Sequence, residues 1–161
     1  MHSKEDYMGK EIERKYLVKN DSWRGQVEGK RYRQGYLSTV KERTVRVRTA
    51  GDKGFITVKG ITVGATRSEY EYEIPLADAN EMIDHLCEKP IIEKTRYRIP
   101  QGDVAWEIDE FEGDNRGLIV AEVELKSADQ SVALPGWIGQ EVTNDPRYFN
   151  ANLVAKPFST W

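Results

Sequence analysis

The chain has 161 residues, with 24 Lys and Arg against 27 Asp and Glu, a formal charge of −3 and a pI near 5.5. This length predicts a single domain spanning residues 1–161, and the acidic balance argues against a general nucleic-acid binder. The single cysteine, Cys87, excludes an internal disulfide and is typical of a reducing compartment. Together with only two histidines, it leaves too few ligands for a His/Cys zinc site. No apolar signal segment is visible at residues 1–8 and no run of about 18 apolar residues occurs, so we predict a cytoplasmic protein without a membrane span.

Short alternating segments dominate the chain and predict about eight strands. Turn sequences at residues 50–54 and 60–64 separate some of them. Because the connections are short, we expect mostly antiparallel pairing. The predicted strands are 11–18, 30–39, 43–50, 54–60, 69–76, 91–99, 104–111 and 118–126.

Three helical segments are expected to accompany the strands. The first, 78–88, has apolar residues at helical spacing and Asp78 as its N-cap. The second is a short helix over 127–134. The third covers 145–156, because an Asp-Pro pair opens it and a proline follows it.

Charges of the same sign recur at alternate positions of several predicted strands, and therefore on one face of each strand. In a single strand such a pair is typical of a solvent-facing surface. Like charges that lie close together on a sheet are unfavourable unless something compensates them, so their recurrence favours a closed barrel with a charged, wet interior and apolar faces outside. The same-sign sets, four pairs and two triplets, are Glu11 and Glu13; Arg46 and Arg48; Glu69, Glu71 and Glu73; Lys94, Arg96 and Arg98; Glu107 and Asp109; and Glu122 and Glu124.

An interior with both signs of charge suits one class of ligand. Arginine pairs can make bidentate, charge-assisted hydrogen bonds to phosphate oxygens. Carboxylate pairs without His or Cys are hard oxygen ligands that suit Mg²⁺ or Mn²⁺. No Walker-type glycine-rich loop occurs, so side chains would have to hold the phosphate. The sequence therefore predicts a site for a metal-bound polyphosphate.

The segment 11–15, which reads Glu-Ile-Glu-Arg-Lys, opens an ordered series of charged motifs. The others lie at 33–37, 44–48, 57–59, 69–71, 93–97, 107–109, 121–124 and 142–150. The first matches the Glu-x-Glu-x-Lys signature of the CYTH superfamily, also called triphosphate tunnel metalloenzymes, and the whole series resembles its compact bacterial members. The resemblance covers about residues 9–156.

The resemblance implies a mainly β (α+β) fold: a closed eight-stranded antiparallel barrel, or tunnel, with a few covering helices. In such a site one metal steadies the triphosphate and a second activates the attacking water. The implied triphosphate ligands are Lys15, Arg46, Arg48, Lys59, Lys94 and Arg96. The implied metal ligands are Glu11, Glu13, Asp109, Glu122 and Glu124, and Glu69 and Glu71 complete the acidic lining. The catalytic candidates are Lys15, Glu11, Glu13, Glu122 and Glu124.

Four further residues stay open at this stage. Tyr36 either restricts the tunnel mouth or packs in the core, and the sequence does not decide whether Glu73, Glu107 and Arg98 face the tunnel. Aromatic residues interleaved with basic ones at 30–33 and 96–98 could stack on nucleic-acid bases. The predicted tunnel site, however, already includes Lys94 and Arg96. We therefore expect no nucleic-acid or membrane partner.

The function predicted from these motifs is hydrolysis of inorganic tripolyphosphate to pyrophosphate and phosphate, dependent on Mg²⁺ or Mn²⁺. One alternative is a class IV-type adenylate cyclase on the same fold. Others are a thiamine or nucleoside triphosphatase and a non-catalytic triphosphate-binding module. The sequence leaves the physiological substrate, the preferred metal and the oligomeric state open, a homodimer being one option.

Overall fold

The structure, a computed structural model, describes residues 10–161. The segment 1–8, in which no signal sequence is expected, lies outside the described residues. The strands are β1 (Lys10–Val18), β2 (Lys30–Ser38), β3 (Thr44–Ala50), β4 (Lys53–Lys59), β5 (Thr66–Ile74), β6 (Ile92–Gln101), β7 (Val104–Phe111), β8 (Ile119–Glu124) and β9 (Ile138–Glu141). The helices are α1 (Leu76–His85) and α2 (Asn152–Ala155), with short 3₁₀ turns at Gly113–Asn115, Pro146–Tyr148 and Phe158–Thr160.

Eight strands close into an antiparallel barrel in the order β5-β4-β3-β2-β6-β7-β8-β1. Closure occurs because β1 pairs with two strands in succession. Its first residues pair with β5, where Glu11 lies opposite Arg67, and its residues 13–17 pair with β8. The predicted eight-stranded barrel is confirmed. The four-residue strand β9, which the sequence did not predict, pairs with β1 near Tyr16 and Val18.

The hydrophobic core lies outside the barrel wall rather than within it. On β7, Trp106 and Ile108 belong to an outer apolar cluster with Trp137, while the alternate residues carry the charges. A second cluster joins the barrel wall to the C-terminal segment, residues 142–161, in which Leu153 is fully buried. This arrangement leaves the inner face of the barrel to polar side chains, as the same-sign charge pairs predicted.

Helix α1 packs on the outer faces of β3 and β4 through its buried residues Ala79 and Ile83. The contact is close: a Cβ atom added to Gly54 would lie 2.7 Å from the Cβ of Ala79. The helix begins and ends earlier than predicted. Pro75 is its N-cap and no side chain caps it, so the predicted role of Asp78 was wrong.

The two other helix predictions need correction. Residues 127–134 form a turn at 128–129 followed by irregular chain, and the side chain of Gln130 accepts a hydrogen bond from the Lys126 backbone N–H at 2.7 Å. Such side-chain bonds to the backbone compete with helix formation. The predicted helix over 145–156 is divided into a 3₁₀ turn and α2, although Asp145 does accept a hydrogen bond from the Arg147 N–H. The extended backbone at Phe149 interrupts it.

Candidate functional site

The barrel encloses a cavity of about 870 Å³. Every predicted site residue except Asp109 lines it, so the structure brings together charges that are more than 100 residues apart in sequence. The lining residues among those predicted are Glu11, Glu13, Lys15, Tyr36, Arg46, Arg48, Lys59, Glu69, Glu71, Lys94, Arg96, Glu122 and Glu124.

The sequence left open whether Glu73, Glu107 and Arg98 face the interior of the barrel, and the structure gives the position of each. Glu107 and Arg98 line the cavity, Arg98 as an exposed side chain next to the β6–β7 hairpin. Glu73 is exposed and is not among the lining residues. The basic–aromatic segment 30–33 is divided between the two faces: Tyr32 lines the cavity, while its neighbours Arg31 and Arg33 make ion pairs on the exterior.

Arg46 and Arg48 project from β3 and converge on one carboxylate. The Nη2 atoms of Arg48 and Arg46 lie 3.1 Å and 3.5 Å from Glu71 Oε1, and the hydroxyl of Thr57 donates to the same oxygen at 2.8 Å. Burial alone would raise the pKa of Glu71, but the two guanidinium groups outweigh it and hold that pKa below its usual value. Glu71 is therefore an ionised anchor that orients the arginine pair.

The lining cations of β3, β4 and β6 form a cationic wall, which consists of Arg46, Arg48, Lys59, Lys94 and Arg96. Asp109 lies behind this wall rather than on it. Its Oδ2 accepts a hydrogen bond from Lys94 Nζ at 2.8 Å, and both its oxygens accept from Arg96, at 2.7 Å and 2.9 Å. The side chains of Asp109 and Lys94 are 2% and 1% exposed. Burial raises the pKa of Asp109, but the two cations more than offset this and lower it overall. Burial also lowers the pKa of Lys94 to about 8 despite its acidic partner.

The tyrosine ring of Tyr32 lies between guanidinium groups from two different strands. The Cζ atoms of Arg48 and Arg96 are 5.2 Å and 5.0 Å from its centre, which is within the range of a cation–π contact. The ring thereby connects the β3 and β6 parts of the cationic wall.

The carboxylates of β1 and β8 face one another across direct strand pairs. Glu13 lies opposite Glu124, and Lys15 opposite Glu122. Burial first, and then Glu11 and Glu122, raise the pKa of Glu13 well above its usual value. The pKa of Glu124 is raised to about 7 by burial and by the neighbouring acids Glu11 and Glu69. Burial and the proximity of other acids thus both disfavour the charged forms of Glu13 and Glu124.

Cations neutralise the rest of the acidic cluster. Lys59 Nζ lies 3.1 Å from Glu11 and 3.3 Å from Glu69, and Lys15 Nζ lies 3.6 Å from Glu122. Burial nevertheless raises the pKa of Glu11 to about 6, with a further contribution from Glu69.

The donor set fits a hard divalent cation, because it consists of crowded carboxylates whose repulsion such a cation would relieve. Glu11, Glu13, Glu122 and Glu124 are the residues that could hold it. Within residues 10–161, no three His, Cys, Asp or Glu side chains are already gathered into a metal site. Glu11 and Glu122 instead contact Lys59 and Lys15, so a cation held by these two glutamates would compete with those lysine contacts.

The C-terminal segment covers one end of the cavity. Lys15 Nζ donates to the Tyr148 carbonyl at 3.0 Å, and Lys94 Nζ donates to Asn150 Oδ1 at 3.2 Å. The same oxygen accepts from Gln34 Nε2 at 3.2 Å. Tyr36 both lines the cavity and packs in the adjoining core cluster, so the two interpretations of this residue are compatible.

The sequence analysis missed several lining residues, among them Arg67 and Asn150. Arg67 shares the inward face of β5 with Glu69 and Glu71, so the alternation that identified the two glutamates could have found it. Asn150 lies in the motif 142–150, but only the folded chain brings it to Lys94. Among residues 10–161, no helix is long and apolar enough to span a membrane.

Comparison with known proteins agrees with this geometry. The chain is 51% identical to an inorganic triphosphatase of Acetivibrio thermocellus over 154 residues, which cover 96% of this chain and 99% of that protein. It is 39% identical to an inorganic triphosphatase of Nitrosomonas europaea over 149 residues, covering 89% and 96%.

The solved structures of similar proteins have the same architecture. The crystal structure of an inorganic triphosphatase with 35% identity superposes with a TM-score of 0.64, covering 89% of this chain and 93% of that one. A Hippeastrum protein with 14% identity and a TM-score of 0.57 supports the fold alone. The family model for the CYTH domain matches residues 9–158. The chain belongs to the CYTH family.

Proposed function

We propose that this chain is a divalent-metal-dependent hydrolase that cleaves inorganic tripolyphosphate to pyrophosphate and phosphate inside its tunnel. One observation carries the proposal: cationic side chains from β3, β4 and β6 and carboxylates from β1 and β8 share a single cavity of about 870 Å³. The two inorganic triphosphatases at 51% and 39% identity support the same activity over the alternatives.

The cationic wall would hold the phosphate oxygens. Charge-assisted hydrogen bonds from arginine and lysine to phosphate are stronger than neutral ones. Because Glu71 and Asp109 already orient the arginines, less conformational freedom is lost when substrate binds. The substrate-binding residues of the proposal are Lys15, Arg46, Arg48, Lys59, Lys94 and Arg96.

The acidic cluster would hold the metal. Glu11, Glu13, Glu122 and Glu124 supply the carboxylate oxygens, and Glu69 and Glu71 complete the acidic lining. When bound, Mg²⁺ or Mn²⁺ would neutralise charge on phosphate oxygens and lower the pKa of a coordinated water. Lys15, whose Nζ lies 3.6 Å from Glu122, would bind a phosphate oxygen beside these carboxylates.

Asp109 stays a predicted metal ligand, but its contacts favour another role. Both of its oxygens are occupied by Lys94 and Arg96, and it does not line the cavity. We infer that it positions these two cations for the phosphate rather than binding metal itself.

We also propose that the partner of this site is a small-molecule triphosphate encountered in the cytoplasm. The single cysteine supports a reducing compartment. The polar lining supports a small, highly charged ligand.

The test is a substrate panel on the purified chain with Mg²⁺ or Mn²⁺, and with a chelator as the control. Phosphate release is measured from tripolyphosphate, ATP and thiamine triphosphate, and the ATP reaction is also analysed for cyclic AMP. We expect tripolyphosphate to be the preferred substrate and the chelator to abolish turnover. A preference for ATP would overturn the assignment, and cyclic AMP would favour the cyclase. Tight triphosphate binding without turnover in either metal would establish a binding module instead.

A further inference from the structure

Arg67 is a cavity-lining arginine that the substrate-binding set above does not include. It lies on β5, opposite Glu11 in the short pairing of β1 with β5 that closes the barrel. Its side chain lines the main cavity and also a small side pocket, which Lys15 and Phe149 line as well. Arg67 therefore stands where the tunnel meets the C-terminal segment.

The guanidinium group of Arg67 has hydrogen-bonding capacity to spare. Its Nη2 donates to the hydroxyl of Thr44 at 3.1 Å. Its Nε is buried and has no hydrogen-bond partner among the described residues. A guanidinium group carries five N–H donors in a fixed plane, so a bond to one hydroxyl leaves most of this group available to a ligand.

The buried Nε atoms of Arg46 and Arg48 also lack a hydrogen-bond partner among the described residues, but Arg67 differs from Arg46, Arg48 and Arg96 in what holds its guanidinium group. Glu71 anchors Arg46 and Arg48, and Asp109 anchors Arg96 through two hydrogen bonds. Arg67 is held instead by the neutral side chain of Thr44. A buried polar donor without a partner is costly, and an anionic oxygen at this end of the cavity would satisfy it.

We propose that Arg67 is a further substrate-binding residue, which donates to an end phosphate group of the polyphosphate where the tunnel meets the side pocket. This inference rests on the proposed function for the nature of the ligand. It adds to the predicted set a fourth arginine, held in place by Thr44 rather than by a carboxylate.

The test compares the binding of inorganic tripolyphosphate to the wild type, Arg67→Gln and Arg43→Gln by calorimetry with a chelator present, so that no turnover occurs. Arg43 is the matched control, because it is exposed beside Thr44 and does not line the cavity. Losing one charge-assisted contact should weaken binding about tenfold in Arg67→Gln, with Arg43→Gln within about twofold of wild type. Equal affinity in the wild type and Arg67→Gln would overturn the inference.

Steady-state kinetics separate a substrate contact from an indirect effect through Glu11. The expected result for Arg67→Gln is a higher KM for tripolyphosphate at an unchanged Mg²⁺ activation constant. A change confined to the Mg²⁺ constant would show that Arg67 acts on the acidic cluster and would overturn the inference. Arg67→Lys, which keeps the charge, is measured as well, so that misfolding of the glutamine variant does not decide the result.

The two proposals can fail separately. If the wild type binds tripolyphosphate but does not hydrolyse it, the proposed function is wrong, and the affinity of Arg67→Gln still decides the role of Arg67. If the wild type hydrolyses it and Arg67→Gln binds equally well, only the inference about Arg67 is wrong.

Discussion

At the scale of single residues, Glu122 and Glu124 have different partners although they are two positions apart on one strand face. Glu122 contacts Lys15, whereas the pKa of Glu124 is raised to about 7 by burial and by Glu11 and Glu69. We expect both Glu122→Gln and Glu124→Gln to lose nearly all turnover, because each removes a charged oxygen ligand. Thermal unfolding without metal should show a higher midpoint for Glu124→Gln only. Wild-type activity in both variants would remove these residues from the site.

The phosphate-binding prediction concerns Arg46, Arg48, Lys94 and Arg96. Replacing any of them by alanine removes a contact worth about 1.5–3 kcal/mol, so kcat/KM should fall roughly tenfold to a hundredfold or more. Arg98 is the matched control: it lies two positions from Arg96 on the same face but is exposed, so Arg98→Ala should lose less. Equal losses at 96 and 98 would extend the phosphate-binding face along β6. No loss at any of the four would contradict the tunnel site.

Asp109→Asn separates a positioning role from a metal-ligand role. The amide keeps the shape but weakens the hold on Lys94 and Arg96. If Asp109 positions these cations, KM for tripolyphosphate rises while the Mg²⁺ concentration for half-maximal activity stays the same. A metal ligand would instead shift the Mg²⁺ requirement. The pKa of Lys94 should also fall below about 8 in Asp109→Asn, because burial lowers this pKa and the charge of Asp109 partly offsets that effect.

At the scale of elements, the C-terminal segment links stability to the site. Leu153 of α2 is fully buried in the cluster that holds this segment on the barrel, and Lys15 and Lys94 donate to Tyr148 and Asn150 just before it. Leu153→Ala should lower the free energy of unfolding by about 2–5 kcal/mol and loosen those two contacts.

Denaturant unfolding and kinetics on Leu153→Ala test this connection. The control is Lys156→Ala in the same segment, which changes an exposed side chain and should shift stability by no more than about 0.5 kcal/mol. A destabilised Leu153→Ala with unaltered kcat and KM would mean that the segment covers the cavity without influencing the site.

At the scale of the whole molecule, the acidic cluster predicts how stability depends on pH when metal is absent. In the folded protein the pKa values of Glu11 and Glu124 are raised to about 6 and 7, and that of Glu13 is raised as well. Between pH 4.5 and about 7 the folded state therefore binds more protons than the unfolded state, so stability falls as pH rises. The lowered pKa of Glu71 acts in the opposite direction, but only below about pH 4.5.

Thermal unfolding at pH 5, 6 and 7 with a chelator measures this dependence. The midpoint should decrease across the series, and Glu124→Gln should flatten the decrease. The surrounding barrel wall desolvates Glu124, yet its side chain remains accessible to solvent, so solvent screening reduces its share of the effect. A midpoint that rises from pH 5 to 7 would contradict the crowding of charges inferred here.

The sequence by itself determined the barrel and most of its inward face. A strand has a period of two, so the pairs on β1, β3, β6 and β8 could be assigned to one side before any contact was known. The order of the motifs determined the family. Turn sequences and apolar spacing were less informative. In the segment 127–134, the carbonyl groups of Ala128 and Ala133 accept hydrogen bonds from side chains of other strands, and the segment 145–156 is interrupted at Phe149.

Only the tertiary structure decided which inward charges reach the cavity and what holds them. Asp109 and Glu107 both alternate with apolar residues on β7. Glu107 lines the cavity, whereas Asp109 is buried behind Lys94 and Arg96. The difference arises because the side chains of the paired strand β6 determine how far a β7 side chain reaches into the cavity. Arg67 and Glu11 are 56 positions apart and meet only where β1 and β5 close the barrel. Local periodicity gives the face of a residue, whereas closure and the covering C-terminal segment set its neighbours, its burial and therefore its pKa.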